Sequence, residues 1–279
     1  MYQKKILVAF DGLHYTENSS WFAIQMAKST NSLLVGVFLH DLRYLNLTYS
    51  YGWDMPIVSY PDVSKIEKEN KLTLDNHIKQ FSESCNLAGI QFKIHRDSGV
   101  PLQALLEETT FSDLLIIDSH TSYFRLNDSE PASFLKDLLI DAHCPIIIIP
   151  GETKKIEQVI LSYDGLESSV FAIKQFAYLF SEWSELKTVL ISVNNDSSNH
   201  LKQNRNIKDL IERHYKDISY QIMHGDAITQ LHSFIKQVDR QAIVVMGSFG
   251  RSAVSRFFSS SVGNKILQDL KTPLFIAHR

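Results

Sequence analysis

The stretch Lys5-Ile-Leu-Val-Ala-Phe-Asp11-Gly12-Leu13 returns later in the chain as Gln158-Val-Ile-Leu-Ser-Tyr-Asp164-Gly165-Leu166. Each copy is a short apolar run that ends in Asp-Gly and is followed by a longer apolar-periodic stretch containing Phe-Ala-Ile. An apolar run followed by a helical pattern is typical of a β–α unit. A repeat of this kind predicts two similar halves in one chain.

The similarity extends through both halves. Each contains a glycine near its middle, a four-residue apolar run and a proline that opens a last apolar strand; these are Gly99, 114–117 and Pro145 in one half and Gly225, 243–246 and Pro273 in the other. The polar stretch after Pro150 marks the boundary, which gives domains 1–150 and 151–279. The first half is longer, and we expect an insertion at about 41–63, rich in tyrosine. It either covers a ligand of its own or packs over the open end of the sheet, and we prefer the second interpretation.

Short β-branched runs alternate with helical patterns in both halves. The predicted strands cover 5–10, 33–39, 91–97, 114–118 and 146–149, then 158–163, 187–193, 219–224, 242–246 and 274–277. The predicted helices cover 19–29, 64–87, 102–109 and 133–141, then 167–180, 207–215, 227–238 and 261–270. This alternation predicts an α/β protein made of two tandem, doubly wound, five-stranded parallel-sheet domains. Ligands of such sheets bind beyond the carboxyl ends of the strands, between strands one and four of each domain.

Composition narrows the classes of protein. The chain has 279 residues, of which 44% are hydrophobic, and 28 Lys and Arg stand against 31 Asp and Glu. It can therefore bury a large core, and its slightly acidic balance argues against a dedicated nucleic-acid binder. Its apolar runs are too short to cross a membrane and no signal peptide is evident, so we expect a cytoplasmic protein with no membrane partner. Cys85 and Cys144 are expected to be reduced thiols, and no spacing indicates a metal site.

The loop after the fourth strand of the second half is the strongest candidate for a binding site. It contains Met246-Gly247-Ser248-Phe249-Gly250-Arg251 and later Ser260-Ser261-Val262, which opens the last predicted helix. Glycines after a buried strand allow the backbone to approach a ligand closely, and free N–H groups at a helix start attract anions. The pattern fits a phosphate-binding loop, although an ordinary glycine turn with serine capping would also produce it.

These features together resemble the universal stress protein family, whose adenine-nucleotide motif is Gly-x-x-Gly, nine residues, then Gly-(Ser/Thr). Gly247, Gly250 and Ser261 match the motif, whereas Ser260 stands in place of the third glycine. The resemblance covers both halves and implies a tandem, Rossmann-like protein that binds ATP, with Mg²⁺ possible, in its second half. It further implies that Asp164 meets the nucleoside, that Val193 offers backbone groups to adenine, and that Met246 and Val262 line the pocket. The implied nucleotide-binding residues are Asp164, Val193, Met246, Gly247, Ser248, Gly250, Ser260, Ser261 and Val262.

The first half keeps Asp11 but lacks the loop. Asp118 and Thr121 stand where the second half has its two glycines, and Ala132-Ser133 replaces the small pair. A carboxylate in that position would repel phosphates. We therefore expect the first site to be degenerate for ATP.

The predicted function is a non-enzymatic, adenine-nucleotide-binding stress protein in which the halves form an intramolecular pseudo-dimer, with further dimerisation left open. Two alternatives remain. The first is a nucleotide-free scaffold in which strands 146–149 and 274–277 pair between the halves, and the second is slow ATP hydrolysis at the same loop. Asp11 and Asp164 could act as general bases in principle, but neither has an evident nucleophile or second acid, so we predict no catalytic residue.

Overall fold

The computed structural model describes residues 3–41, 63–121, 131–194, 198–238, 241–247 and 270–277. Within these ranges the strands are β1 (Lys5–Asp11), β2 (Leu33–Asp41), β3 (Phe92–Gly99), β4 (Leu114–Asp118), β5 (Ile146–Ile149), β6 (Gln158–Ser162), β7 (Lys187–Asn194), β8 (Ile218–His224), β9 (Ala242–Gly247) and β10 (Leu274–Ala277). The helices are α1 (Glu17–Thr30), α2 (Val63–Ala88), α3 (Pro101–Thr110), α4 (Pro131–Asp141), α5 (Glu167–Leu179), α6 (Asn204–Ile211) and α7 (Ala227–Gln237), with a 3₁₀ turn at Ser181–Trp183.

The strands form one sheet in the order β3-β2-β1-β4-β5-β10-β9-β6-β7-β8. β1 pairs in parallel with β2 on one side and β4 on the other, and β6 pairs in the same way with β7 and β9. Each half is therefore doubly wound, and its winding reverses between the first and fourth strands. The predicted fold class is confirmed, and the winding reverses between the first and fourth strands of each half as predicted.

Two apolar layers hold the helices against the sheet. Phe22 of α1 and Ala172 of α5 belong to the core on one face, whereas Leu105 of α3 and Leu231 of α7 belong to the core on the other. The central strands are buried on both faces, while β3 and β8, at the two ends of the sheet, alternate between partly buried and exposed residues. This difference explains why the central strands are unbroken apolar runs in the sequence.

The glycine near the middle of each half turns the chain from a strand into a helix. Gly99 has φ +136° and Gly225 has φ +122°, in the region that glycine adopts most readily. After Gly99, Pro101 occupies the first turn of α3. After Gly225, the Asp226 side chain caps α7 by accepting a hydrogen bond of 2.9 Å from the Thr229 N–H. The repeated glycines thus have a local structural reason.

The two halves join through β5 and β10, which pair antiparallel and make the sheet continuous. The four isoleucines of β5 are almost completely buried, and Phe275 of β10 packs edge-to-face against Phe176 of α5, with ring centroids 5.1 Å apart. One core cluster contains residues from both halves. The strand pairing that the scaffold alternative placed between the halves is present, and it merges what the sequence suggested as two sheets into one.

Polar contacts also connect the halves. The Asn18 side chain donates to the Pro150 carbonyl at 2.9 Å and accepts from the Thr153 N–H at 2.9 Å, so α1 holds the start of the linker. Lys4 donates to the Leu179 carbonyl at the end of α5, where a cation also favours the helix dipole.

Element boundaries agree closely with the prediction except at α6. The pattern of Ile207, Ile211 and Tyr215 predicted a helix over 207–215, but the helix ends at Ile211. Tyr215 stays buried although it lies outside the helix, so it continues the apolar pattern without continuing the helix. Residues 42–62 of the predicted insertion (41–63) and residues 261–269 of the last predicted helix (261–270) lie outside the described residues. Among the helices that the structure describes, none is both long and apolar enough to span a membrane.

Candidate functional site

The carboxyl ends of β6, β7 and β9 meet at one edge of the sheet in the second half. Ser162 pairs with Ile191, and the Tyr163 N–H donates to the Ile191 carbonyl at 2.9 Å. Two residues further along β7, Val193 is therefore level with Asp164. Gly247 ends β9 on the other side of β6. The structure thus brings three of the residues implicated by the sequence to one crevice.

Asp164 has one carboxylate oxygen in use. Its Oδ1 accepts a hydrogen bond of 2.8 Å from the Leu166 N–H, which closes the turn into α5. Its Oδ2 is shielded from solvent and has no hydrogen-bond partner among the residues that the structure describes. A buried carboxylate oxygen without a partner costs free energy, and a ligand with a donor group would satisfy it.

Val193 directs its backbone polar groups toward β6. Successive residues of a strand alternate between its two neighbours, and Ile191 already bonds on the β6 side. β6 itself ends at Ser162, and Gly165 turns away with φ +84°. The backbone of Val193 therefore borders the crevice beyond the end of β6, where it can meet a flat ring edge-on.

Met246 and Gly247 contribute apolar surface and a close backbone contact. Met246 is buried in the same core layer as Ile191, which places its side chain on the face of the sheet shared with Val193. Gly247 lies against the first turn of α5: a Cβ atom there would be 2.4 Å from the Ser168 carbonyl oxygen. The glycine is therefore required by the packing of β9 on α5, independently of any phosphate.

The remaining implicated residues, Ser248, Gly250, Ser260, Ser261 and Val262, lie outside the described residues. Their assignment to a phosphate-binding loop stays a prediction. The chain approaches that region through Gly247 and leaves it at Leu270, which is buried beside β10 in the same core layer as Met246.

Residues 198–203, which we call the strap, lie over the ends of β6, β7 and β8. The buried Asn194 side chain donates to the Ser198 and His200 carbonyls at 2.6 and 3.1 Å. At the other end of the strap, the Lys202 backbone carbonyl accepts a hydrogen bond of 2.9 Å from the Tyr163 hydroxyl. The Lys202 ammonium donates one of 3.1 Å to the Asp164 backbone carbonyl. Burial, and then the charge of Asp164, raise the pKa of Tyr163 and keep its hydroxyl protonated as a donor. No local sequence pattern marks Lys202, and its place at the site was missed.

An open cleft of about 510 Å³ lies on the outer side of the same turn, between α5 and the strap. Its walls include Gly165, Leu166, Phe171, Lys174 and Gln203. The implicated residues that the structure describes do not line this cleft, which approaches them through Gly165.

In the first half, the polar groups at the ends of β1 and β2 are hydrogen-bonded to neighbouring residues of the same half. Asp11 accepts from the Leu13 N–H at 3.0 Å through Oδ1 and pairs with His14 Nδ1 at 2.8 Å through Oδ2. Leu39 pairs with Asp11, in the position that Val193 has beside Asp164. The Leu39 carbonyl accepts a hydrogen bond of 2.7 Å from the Gly12 N–H. The first-half counterpart of Asp164 Oδ2, an oxygen that has no partner among the described residues, is thus hydrogen-bonded within its own turn.

Asp118 occupies the register position of Gly247. Leu114 pairs with Ile6, and Ile243 pairs with Val159, the equivalent residue of the repeat. Asp118 and Gly247 each lie four residues further along their strands and are therefore equivalent. The buried Asp118 carboxylate accepts from the His120 N–H at 2.8 Å and from the Ser19 hydroxyl at 3.3 Å. A buried negative charge at this point disfavours a phosphate. In the part of the chain that the structure describes, no cluster of His, Cys, Asp or Glu is suited to a metal ion.

The fold and the site define a tandem, doubly wound α/β protein in which the aspartates that follow β6 and end β1 differ in their hydrogen bonding. A universal stress protein from Archaeoglobus fulgidus matches 99% of this chain and 96% of its own length, with a TM-score of 0.71 and 14% identity. A putative universal stress protein from Pseudomonas aeruginosa matches 99% of this chain and 93% of its own length, with a TM-score of 0.55 and 11% identity. The sequence matches no protein-family model, and a search of curated proteins finds no match. The chain therefore has the tandem fold of universal stress proteins.

Proposed function

We propose that the chain is a universal stress protein that binds one adenine nucleotide, with ATP as the expected ligand, in its second half. The observation that carries the proposal is the contrast between Asp164 and Asp11. Asp164 Oδ2 is buried and unpartnered among the described residues, whereas both oxygens of Asp11 are hydrogen-bonded. Ribose hydroxyls and the adenine amino group can donate the hydrogen bond that Asp164 Oδ2 does not receive from the described residues.

The arrangement of the crevice supports a nucleotide over a smaller ligand. Val193 can offer backbone groups to a base, Asp164 lies at the centre beyond β6, and Gly247 leads into the loop predicted to hold phosphates. The strands β7, β6 and β9 are neighbours in the sheet in that order, so these three points lie in a row. A base, a sugar and a phosphate chain are joined in the same order.

We further propose that the protein binds the nucleotide without hydrolysing it and acts as a regulatory, stress-related binding protein. Mass spectrometry of small molecules released from the natively purified protein tests the ligand, and calorimetry with ATP, AMP and adenosine measures its affinity. A nucleotide found in the purified protein and binding in calorimetry support the proposal. Absence of both would favour the nucleotide-free scaffold, and steady ADP release from ATP would make the protein a slow ATPase.

A further inference from the structure

Lys202 fits closely against the turn that follows β6. A Cβ atom on Gly165 would lie 2.7 Å from Lys202 Cδ, so the aliphatic part of the lysine packs directly on this glycine. The backbone of Lys202 is held by the Tyr163 hydroxyl, and its ammonium by the Asp164 carbonyl. Three consecutive residues of the turn therefore fix the position of one lysine.

The ammonium group retains the capacity to bind a ligand. A lysine ammonium has three N–H donors, and the Asp164 carbonyl uses one of them. Among the ion pairs of the described residues, none joins Lys202 to a carboxylate. A cation with unused donors thus lies at the backbone carbonyl of Asp164, the residue whose Oδ2 has no hydrogen-bond partner among the residues that the structure describes.

The location of Lys202 indicates which part of a nucleotide it meets. The strap follows β7 in the chain, and β7 and β9 lie on opposite sides of β6. Lys202 contacts Asp164, which is level with Val193, whereas the predicted phosphate loop follows β9. The ammonium is therefore on the base side of the crevice.

We infer that Lys202 is a specificity-determining residue that donates a hydrogen bond to a ring nitrogen of the bound purine; this inference rests on the proposed nucleotide site. Adenine has acceptor nitrogens at positions 1, 3 and 7, and an ammonium held by a fixed strap can select one of them. The Asn194 side chain holds two carbonyls of the strap and the Tyr163 hydroxyl holds the Lys202 carbonyl, so the backbone that carries the donor is in place before the ligand binds.

The test compares Lys202→Met with Lys174→Met in the full chain. Methionine keeps most of the aliphatic stem, and Lys174, on the neighbouring cleft, controls for the loss of one positive charge. Lys202→Met should weaken adenosine and ATP binding by the same factor, about tenfold, because a charged hydrogen bond is lost. Lys174→Met should bind both as the wild type does.

Deaza analogues then separate recognition of the base from support of the strap. Of 1-deaza-, 3-deaza- and 7-deazaadenosine, one should bind equally to the wild type and to Lys202→Met, since it lacks the acceptor. Equal weakening of adenosine and all three analogues would overturn the inference, as would a loss confined to ATP or no loss at all. A wild-type protein that binds neither adenosine nor ATP would refute the proposed function itself, and the inference with it.

Discussion

Gly247, the last residue of β9, packs against the backbone of Ser168 in the first turn of α5. A Cβ atom at Gly247 would lie 2.4 Å from the Ser168 carbonyl carbon and oxygen and 2.5 Å from the Ser169 nitrogen. These are backbone atoms of a helix, which cannot move without displacing α5. The glycine that appears in the sequence as part of a phosphate loop is thus also a packing requirement of the second half.

We therefore expect Gly247→Ala to destabilise the protein by about 3 kcal/mol or more, because overpacking against rigid backbone is costly. Gly151→Ala is the matched control, since its new Cβ would lie 3.6 Å from the nearest atom, His120 Cε1. Chemical denaturation of both variants measures the difference. If Gly247→Ala unfolds at the same denaturant concentration as Gly151→Ala, the close contact is not present in solution. Loss of nucleotide binding in a Gly247 variant is informative only after this measurement.

The junction between the halves should be a major source of stability. Phe275 is completely buried in β10 and contacts Phe176 and Phe180, so Phe275→Ala should cost about 3–5 kcal/mol. Phe111→Ala, at a side chain that is 76% exposed, should change stability by no more than about 0.5 kcal/mol. Because one core spans both halves, the wild type should unfold in a single transition. Two separate transitions, with only one of them shifted by Phe275→Ala, would contradict the shared core.

The two cysteines predict a dependence of stability on pH. Burial raises the pKa of Cys85 and of Cys144 from the ordinary value of 9.0 to about 12. Between pH 9 and 12 the unfolded chain therefore ionises its thiols while the folded chain does not, so the free energy of unfolding should fall as the pH rises through this window. Below pH 9 both states hold the protons and the effect vanishes. Replacing both cysteines by alanine should make the decline shallower, and an unchanged slope would contradict the pKa shifts.

The same burial makes the thiols unreactive in the folded protein. With a pKa of about 12, roughly one thiol in ten thousand is ionised at pH 8, and the thiolate is the reactive form. Modification by a disulfide reagent at pH 8 should be very slow in buffer and should accelerate in parallel with unfolding in denaturant. Rapid labelling of one or two thiols without denaturant would be inconsistent with this environment.

The sequence was sufficient to predict the strands and the reversal of winding, because buried parallel strands appear as unbroken apolar runs such as 146–149 and 114–118. It was insufficient at α6, where Tyr215 continues the apolar spacing after the helix has ended. It also could not reveal why Gly247 is a glycine, since the atoms that exclude a Cβ belong to Ser168, which is far away in the chain. Contacts of this kind depend on tertiary packing and leave no periodic pattern.

The sequence predicted only part of the candidate site, again because tertiary contacts leave no pattern in the sequence. The Asp-Gly repeat indicated that Asp11 and Asp164 occupy equivalent strand ends, but their hydrogen-bond partners differ because the turns after them differ. Gly12 donates to the Leu39 carbonyl in the first half, whereas Gly165 adopts φ +84° and lies under Lys202 in the second. Equivalent residues of the repeat thus end with different hydrogen-bond partners.

The most direct test of the account measures ATP binding by titration calorimetry in the full-length wild type and in the matched variants Asp164→Asn and Asp11→Asn. Asparagine keeps a side-chain oxygen for the turn but removes the charge in each case. The account predicts one ATP bound per chain, a loss of affinity of about tenfold or more in Asp164→Asn, and no change in Asp11→Asn. Two ATP bound per chain, or an affinity that falls in Asp11→Asn and not in Asp164→Asn, would contradict it.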